Sequence, residues 1–381
     1  MPVEEVIVLP GTVRARPPEK TWAALAGRLP VFGITRVADL TGLDCIGLPV
    51  WTAIRPASLT LTASQGKGAS NLLALLSAVM EAIELWHVEQ PLPVAVRGPA
   101  LGVDPGYPVS ALPLIHPYPP QALARLVWDW TAGTGLLSGR SVPVPVDLVR
   151  RRAQRPPWSP DVLRATSTGL ACGNTREEAV LHGLFEVVER DVLWRDEQTG
   201  GQRRTPIDPA TVDDPFAVSV IELLTRAGMA LEMALVDGPY GLPVCLAYLW
   251  SEDFPAIFAG GGCHTSPAIA LTRALTEAAQ SRLTDIAGTR DDIPSDPAAT
   301  DAPFRAAHRQ GLAPWPQAVS RFPPARGRFA DQAAAVAKAV QHVTGHEPMI
   351  LDLPGPADVS VHAVQVICPG TRSRIKRAML R

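Results

Sequence analysis

From Ser70 to Pro91 the chain contains no lysine or arginine, yet two glutamates, Glu81 and Glu84, stand three residues apart in the middle of that stretch. Leu72, Leu76, Val79, Ile83 and Trp86 recur at helical spacing, and Ser77, Glu81 and Glu84 fall at i, i+4 and i+7 on another stripe. The segment therefore predicts a helix over Ser70 to His87 that buries one face and presents two unneutralised carboxylates on the other. Taken alone, such a pair is a solvated acidic edge. Like charges this close on a helix repel each other, however, and without a nearby cation the pair calls for a bound one.

The rest of the composition bounds the possibilities. Of 381 residues, 46% are hydrophobic, enough for a large buried core. The formal net charge of -2 argues against a nucleic-acid partner held by bulk charge. No stretch reaches the ~18 uninterrupted apolar residues of a membrane span, and Glu4 and Glu5 stand where a secretion signal would be cationic, so the expected location is the cytoplasm with no membrane contact. Five scattered cysteines without a C-x-x-C pair give neither a disulfide framework nor a zinc site. The 39 prolines are spread through loops without a repeat.

Along the chain, residues 21 to 55 read as a small helical region, and residues 1–55 as an N-terminal segment distinct from a catalytic domain over 56–381. Arg55 to Ala63 is β-like, and Ser64 to Gly68 reads as a loop. Ser167 to Gly173 is read as a second loop, leading into a helix from about Thr175 to Gln198. Met229 to Ala234, Pro243 to Trp250 and Ile257 to Gly262 read as strands. A long helix from Pro267 to about Asp285 and a last strand from Val361 to Ile367 follow. Strands mixed with three long helices give an α+β fold, with mixed or antiparallel sheets packed against those helices.

The second helix repeats the acidic stripe. Glu178, His182, Glu186 and Glu189 lie within about a quarter of the helical wheel at ~100° per residue, with Arg190 beside them. Thr175 and Glu178 also fit a capping box, which needs no ligand but leaves Glu186 and Glu189 unexplained. Hard carboxylate oxygens suit Mg²⁺, which is commonly shared with nucleotide phosphates. The third helix places Arg273, Glu277 and Gln280 at i, i+4 and i+7, with Arg282 following. A guanidinium is a fork for phosphate oxygens, while the plain alternative is an Arg273 to Glu277 surface pair.

Gly66-Lys67-Gly68 before a helix invites comparison with a phosphate-binding loop. The pattern G-x-x-x-x-G-K-[ST] fails, because Leu61 and Gly68 occupy the first and last defining positions. Lys67 at a helix N-terminus still suits phosphate.

Read together, Gly66-Lys67-Gly68-Ala69-Ser70 with Ser77, Glu81 and Glu84, the run Ser167 to Ala179 with Glu186, Glu189, Arg190 and Asp191, and Arg273 to Arg282 resemble the YcaO family. The resemblance covers roughly residues 55 to 300 and, more weakly, Cys368-Pro369-Gly370. It implies a YcaO-type fold with an ATP cleft lined by acidic helix faces, and ATP and Mg²⁺ as cofactors. Glu81, Glu84, Glu186 and Glu189 become the implied metal ligands. Lys67, Ser77, Asn174, Glu178, Arg190, Arg273 and Arg282 become the implied nucleotide contacts, with Arg273, Glu277 and Arg190 acting in catalysis. An N-terminal Arg14 or Lys20 is a further candidate for the nucleotide.

The implied chemistry is phosphorylation of a backbone amide oxygen in a ribosomally made peptide, after which another atom replaces that oxygen. Sulfide gives a thioamide, a neighbouring Cys, Ser or Thr side chain an azoline, and an amine an amidine. Gly33 to Asp44 and Ala287 to Asp292 resemble the branch paired with TfuA-type partners, which is associated with thioamides. The ending Arg374 to Arg381 lacks the proline-rich tail typical of azoline formers. The expected partners are a precursor peptide, a TfuA-like or leader-binding protein, and a second copy in a homodimer. A non-catalytic nucleotide-binding scaffold and a metal-dependent hydrolase are the rivals. The scaffold would be free to lose mutually repelling charges, and the hydrolase would be expected to carry a histidine cluster.

Overall fold

The computed structural model describes residues 6–154, 156–288, 311–323 and 327–373. Residues 289–292 and 374–381, which carry part of the branch-specific reading, lie outside the described residues. A hairpin of Ile7–Leu9 (β1) and Thr12–Arg14 (β2) precedes a helix, Pro18–Leu25 (α1). Arg36–Asp39 (β3), Val50–Ile54 (β4) and Ala63–Lys67 (β5) form an antiparallel three-stranded sheet in that order. This sheet runs across residue 55.

A six-stranded sheet takes the order Val96–Pro99 (β6), Val127–Gly135 (β7), Met349–Asp352 (β15), His362–Ile367 (β16) and Leu170–Gly173 (β9), with Ser141–Pro145 (β8) also on β7. The five-stranded sheet is ordered Phe258–Cys263 (β13), Val244–Trp250 (β12), Ala230–Val236 (β11), Arg204–Asp208 (β10) and Ala313–Pro314 (β14). All its pairings are antiparallel except β10 with β14. The other long helices are Asn71–Glu89 (α2), Arg176–Gln198 (α3), Pro215–Arg226 (α4), Pro267–Ala287 (α5) and Phe329–Thr344 (α6). The architecture is α+β with mixed sheets, as expected.

One local unit recurs three times. β5, β9 and β13 are each the end strand of their sheet, and each leads directly into a long helix: α2, α3 and α5. In each unit a glycine lets the helix backbone lie against the strand. A Cβ on Gly66 would stand 2.0 Å from the Ala78 nitrogen, one on Gly173 2.6 Å from that of Ala179, and one on Gly260 2.1 Å from the Ala274 oxygen. Small residues on both sides make the approach possible. The helix starts follow from local chemistry: Ser70 Oγ accepts from Leu73 N–H at 3.3 Å, and Thr175 Oγ1 from Glu178 N–H at 3.2 Å.

The same close packing explains where the strand readings need correction. Gly66 and its small neighbours looked like a loop, but they form β5, and part of the second expected loop is β9. The β-like stretch Arg55 to Ala63 is mostly the turn between β4 and β5. Glu89 gathers that turn, accepting from Arg55, Ser58, the Leu59 amide and Thr60. Helices α4 and α6 were not anticipated, although Phe329, Ala333, Val336, Ala337 and Val340 form a regular buried stripe.

Helix α2 has 19 residues and a mean hydropathy of 1.3, so by length and composition it alone among the described residues could cross a membrane. It is instead packed on β4 and β5 in a core that contains Trp128 and Trp130, and much of it is buried.

Candidate active site

The three edge strands converge, and the helix faces they support meet around one cleft. Glu81 and Glu84 of α2 are each anchored by an amide of an edge strand. Glu81 Oε2 accepts from Gln65 N–H of β5 at 3.1 Å, and Glu84 Oε1 from Cys172 N–H of β9 at 2.7 Å. From α3, Glu186 Oε2 accepts from Gly169 N–H at 2.9 Å, and Arg190 binds Glu186 at 2.5 Å and Thr168 Oγ1 at 3.1 Å. From α5, Glu277 Oε2 lies 3.4 Å from Lys67 Nζ, and Gln280 Nε2 donates to the Gln65 carbonyl at 3.0 Å.

Electrostatically the cleft is a set of acids held without enough counter-charge. Burial, then Glu81 and Glu186, push the Glu84 carboxyl well above its usual range. Burial and then Glu277 raise Glu189 to about 7, against the opposing pull of Arg273 and Arg190. These carboxylates disfavour their own charged forms in each other's company, a state that a bound cation relieves.

Arg273 is the opposite case. Its Nε is buried without a hydrogen-bond partner, and among the described residues its guanidinium makes no ion pair. The expected alternative, a pair with Glu277, is not formed. The residue is half-buried, and a guanidinium with a buried, unsatisfied Nε and no ion pair among the described residues fits an anion of the phosphate type. Among the described residues no three carboxylate, imidazole or thiol groups converge as a ready-made metal site. Mg²⁺ held by one or two carboxylates and completed by water and phosphate oxygens needs no such convergence.

Of the two N-terminal cations, Arg14 is the one that lies among the acidic helices. The β1–β2 hairpin carries Arg14 into the cleft beside Glu178, 3.7 Å from its Oε1, while Lys20 is exposed on α1. Glu178 also accepts from the amides of Ala15 and Asn174, each at 3.1 Å, and from Asn174 Nδ2 at 3.2 Å. Its carboxylate thus ties down the N-terminal segment rather than completing a capping box. Asn174 Oδ1 in turn accepts from Thr21 of α1 at 2.7 Å. Ser77 is half-buried, and among the described residues its hydroxyl makes no hydrogen bond.

Arg282 is a correction. It stands five residues after Glu277, about 140° further round the helix at ~100° per residue, and so faces away from the stripe of Arg273 and Glu277. Its guanidinium is spent on Asp44, Ser251 and Asp253 at 2.7 to 3.0 Å, which leaves nothing for a nucleotide. A cavity of about 380 Å³ lies at this outer position, lined by Leu43, Phe254, Arg282 and Ile286 among others, and takes no part in the cleft. The reading from sequence also missed His264 at the end of β13. Its position immediately before the helix that carries Arg273 was the available signal.

A family model described as "YcaO cyclodehydratase, ATP-ad Mg2+-binding" matches residues 65–372. An uncharacterized protein of Mycobacterium tuberculosis is 37% identical over 370 residues, which is 94% of this chain and 82% of that protein. An uncharacterized protein in the tfuA 3′ region of Rhizobium leguminosarum bv. trifolii is 36% identical over 383 residues, 94% of this chain and 88% of that one. Among solved structures, YcaO from Methanopyrus kandleri bound with AMPPCP and Mg²⁺ has the same fold. Its TM-score is 0.72 at 23% identity, covering 97% of this chain and 95% of that chain.

Proposed function

Because the chain belongs to the YcaO family, whose model describes ATP- and Mg²⁺-binding proteins, we propose that it is an ATP-dependent enzyme that phosphorylates a backbone amide oxygen of a ribosomally made peptide and so allows that oxygen to be replaced. The observation that carries this reading is the half-buried Arg273, whose buried Nε has no hydrogen-bond partner, set against glutamates that disfavour their own charge. When bound, ATP supplies the phosphoryl group and Mg²⁺ neutralises the charge that develops on it.

The protein's own residues bind and orient. Glu81, Glu84, Glu186 and Glu189 would hold the metal, and Arg14, Lys67, Arg190 and Arg273 would meet phosphate oxygens. Lys67 and Glu277 also brace the cleft between β5 and α5. Phosphoryl transfer rests largely on positioning and charge stabilisation, which a rigid arrangement of this kind provides.

For the replacing atom we favour sulfur, giving a thioamide. Support comes from the relative in the tfuA 3′ region, which is similar over 94% of this chain. On this reading a TfuA-like protein is the partner. Azoline formation is the second reading, supported by the cyclodehydratase description of the family model. Intact-mass analysis of the candidate precursor peptide after reaction with ATP, Mg²⁺ and sulfide separates them. A gain of about 16 Da is oxygen-to-sulfur exchange and a loss of about 18 Da is dehydration, by the atoms exchanged in the substitution. An unchanged peptide mass accompanied by tight nucleotide binding would leave the scaffold reading in place of both.

A further inference from the structure

One buried group of the cleft has no task in the chemistry above. His264 follows Cys263 at the end of β13, three positions before α5 begins at Pro267. It is 6% exposed. Its Nδ1 lies 2.9 Å from the backbone nitrogen of Ser266. That amide can only donate, so Nδ1 is the acceptor, and the neutral ring carries its proton on Nε2.

Phe185 of α3 lies against the ring with centroids 4.7 Å apart, which holds its plane. Burial first, and then the charges of Arg273 and Arg14, lower the imidazole pKa to about 3. The ring is therefore a fixed, uncharged N–H donor, and among the described residues Nε2 has no acceptor in the chain. A donor beside two guanidinium groups calls for an anionic acceptor. An uncharged donor can serve one there without adding a third positive charge.

We propose that His264 Nε2–H donates to a phosphate oxygen of the bound nucleotide, alongside Arg14 and Arg273. The inference rests on the nucleotide-binding reading and adds a contact to it. The competing role is purely structural: Ser266 caps α5 without using its own side chain, and Nδ1 would merely satisfy its amide.

Two substitutions separate the roles, because the Oδ1 of asparagine can replace Nδ1 and the side-chain amide nitrogen of glutamine can replace Nε2. The readouts are calorimetric titration of the full chain with the magnesium complex of AMPPCP and the melting temperature of the free protein. With a phosphate contact, H264N binds about tenfold more weakly or worse, as expected for a lost hydrogen bond to a charged group. H264Q then stays within about threefold of wild type while melting lower than H264N, since it keeps the donor and loses the cap.

H264N binding as tightly as wild type would overturn the proposal and leave His264 as a cap. Should H264N fail to fold, His264→Phe fills the same space against Phe185 with neither nitrogen, and wild-type affinity in that variant overturns the proposal equally. A wild-type chain that does not bind the magnesium nucleotide would overturn both this inference and the function it rests on, whereas weakened binding confined to H264N and His264→Phe supports both.

Discussion

Lys67 Nζ lies 3.4 Å from Glu277 Oε2, although 210 positions separate the two residues. The contact joins the edge of the three-stranded sheet to α5 across the cleft. It also gives Glu277 a partner other than Arg273, one turn earlier on the same helix, and so leaves Arg273 for a ligand.

Arg273→Ala should therefore lower kcat by about a hundredfold or more, as removal of charge stabilisation from a transfer site commonly does. Its free melting temperature should change little, because the half-buried side chain makes no ion pair among the described residues. Lysine at this position should restore only part of the rate, since a point charge replaces a two-pronged fork. Peptide-dependent phosphate release near the wild-type rate in Arg273→Ala would return this residue to a structural role.

Arg282 predicts the reverse. Its side chain and that of Asp44 are almost fully buried, at 2% and 5% exposure, so Arg282→Ala strands Asp44 and should cost roughly 3 to 5 kcal/mol of stability. Nucleotide affinity, measured at a temperature where the variant is folded, should match wild type. Weakened affinity under those conditions would place Arg282 back in the site.

Gly66→Ala tests the close seating of α2. The added methyl would meet the backbone of Ala78 at 2.0 Å and of Ala74 at 2.4 Å, and neither can swing aside as a side-chain tip could. We expect at least the 1 to 3 kcal/mol of an overpacked core, read from chemical denaturation, with loss of nucleotide binding as Glu81 is displaced. Wild-type stability would show that the strand and helix are less tightly joined than described.

The cleft also sets a pH dependence. Glu84 and Glu189 are raised in the folded chain above the unfolded value of about 4.3, so the folded state holds more protons than the unfolded one and stability falls as pH rises through that range. His182 and His264 are lowered by burial and by the nearby arginines, so their contribution increases with pH until about 6.5 and then stops. The two effects oppose each other below about pH 6.5, and above it only the carboxylate loss continues. The melting temperature of the free protein should thus decline from about pH 6.5 to 8, and saturating Mg²⁺ with AMPPCP should flatten the decline by neutralising the glutamates. A free-protein melting temperature that climbs through this window would contradict the description of the carboxylates.

Much of this protein was legible in the sequence because helical periodicity is a local property. The stripes of Glu81 with Glu84, of Glu178 with Glu186 and Glu189, and of Arg273 with Glu277 follow from residue spacing, and the starts at Ser70 and Thr175 follow from cap chemistry. Resemblance to a family gave those stripes a common purpose.

Spacing within a helix could not say which stripes meet, which N-terminal cation arrives, or what Arg282 binds on its own side of α5. Those outcomes rest on long-range pairings: the Cys172 amide with Glu84, 88 positions apart, the Ala15 amide with Glu178, 163 apart, and Arg282 with Asp44, 238 apart. The role of Gly66 was hidden for the same reason. A glycine that ends a strand and one that lets a helix press against it look alike in sequence, and only the helix backbone at van der Waals range distinguishes them.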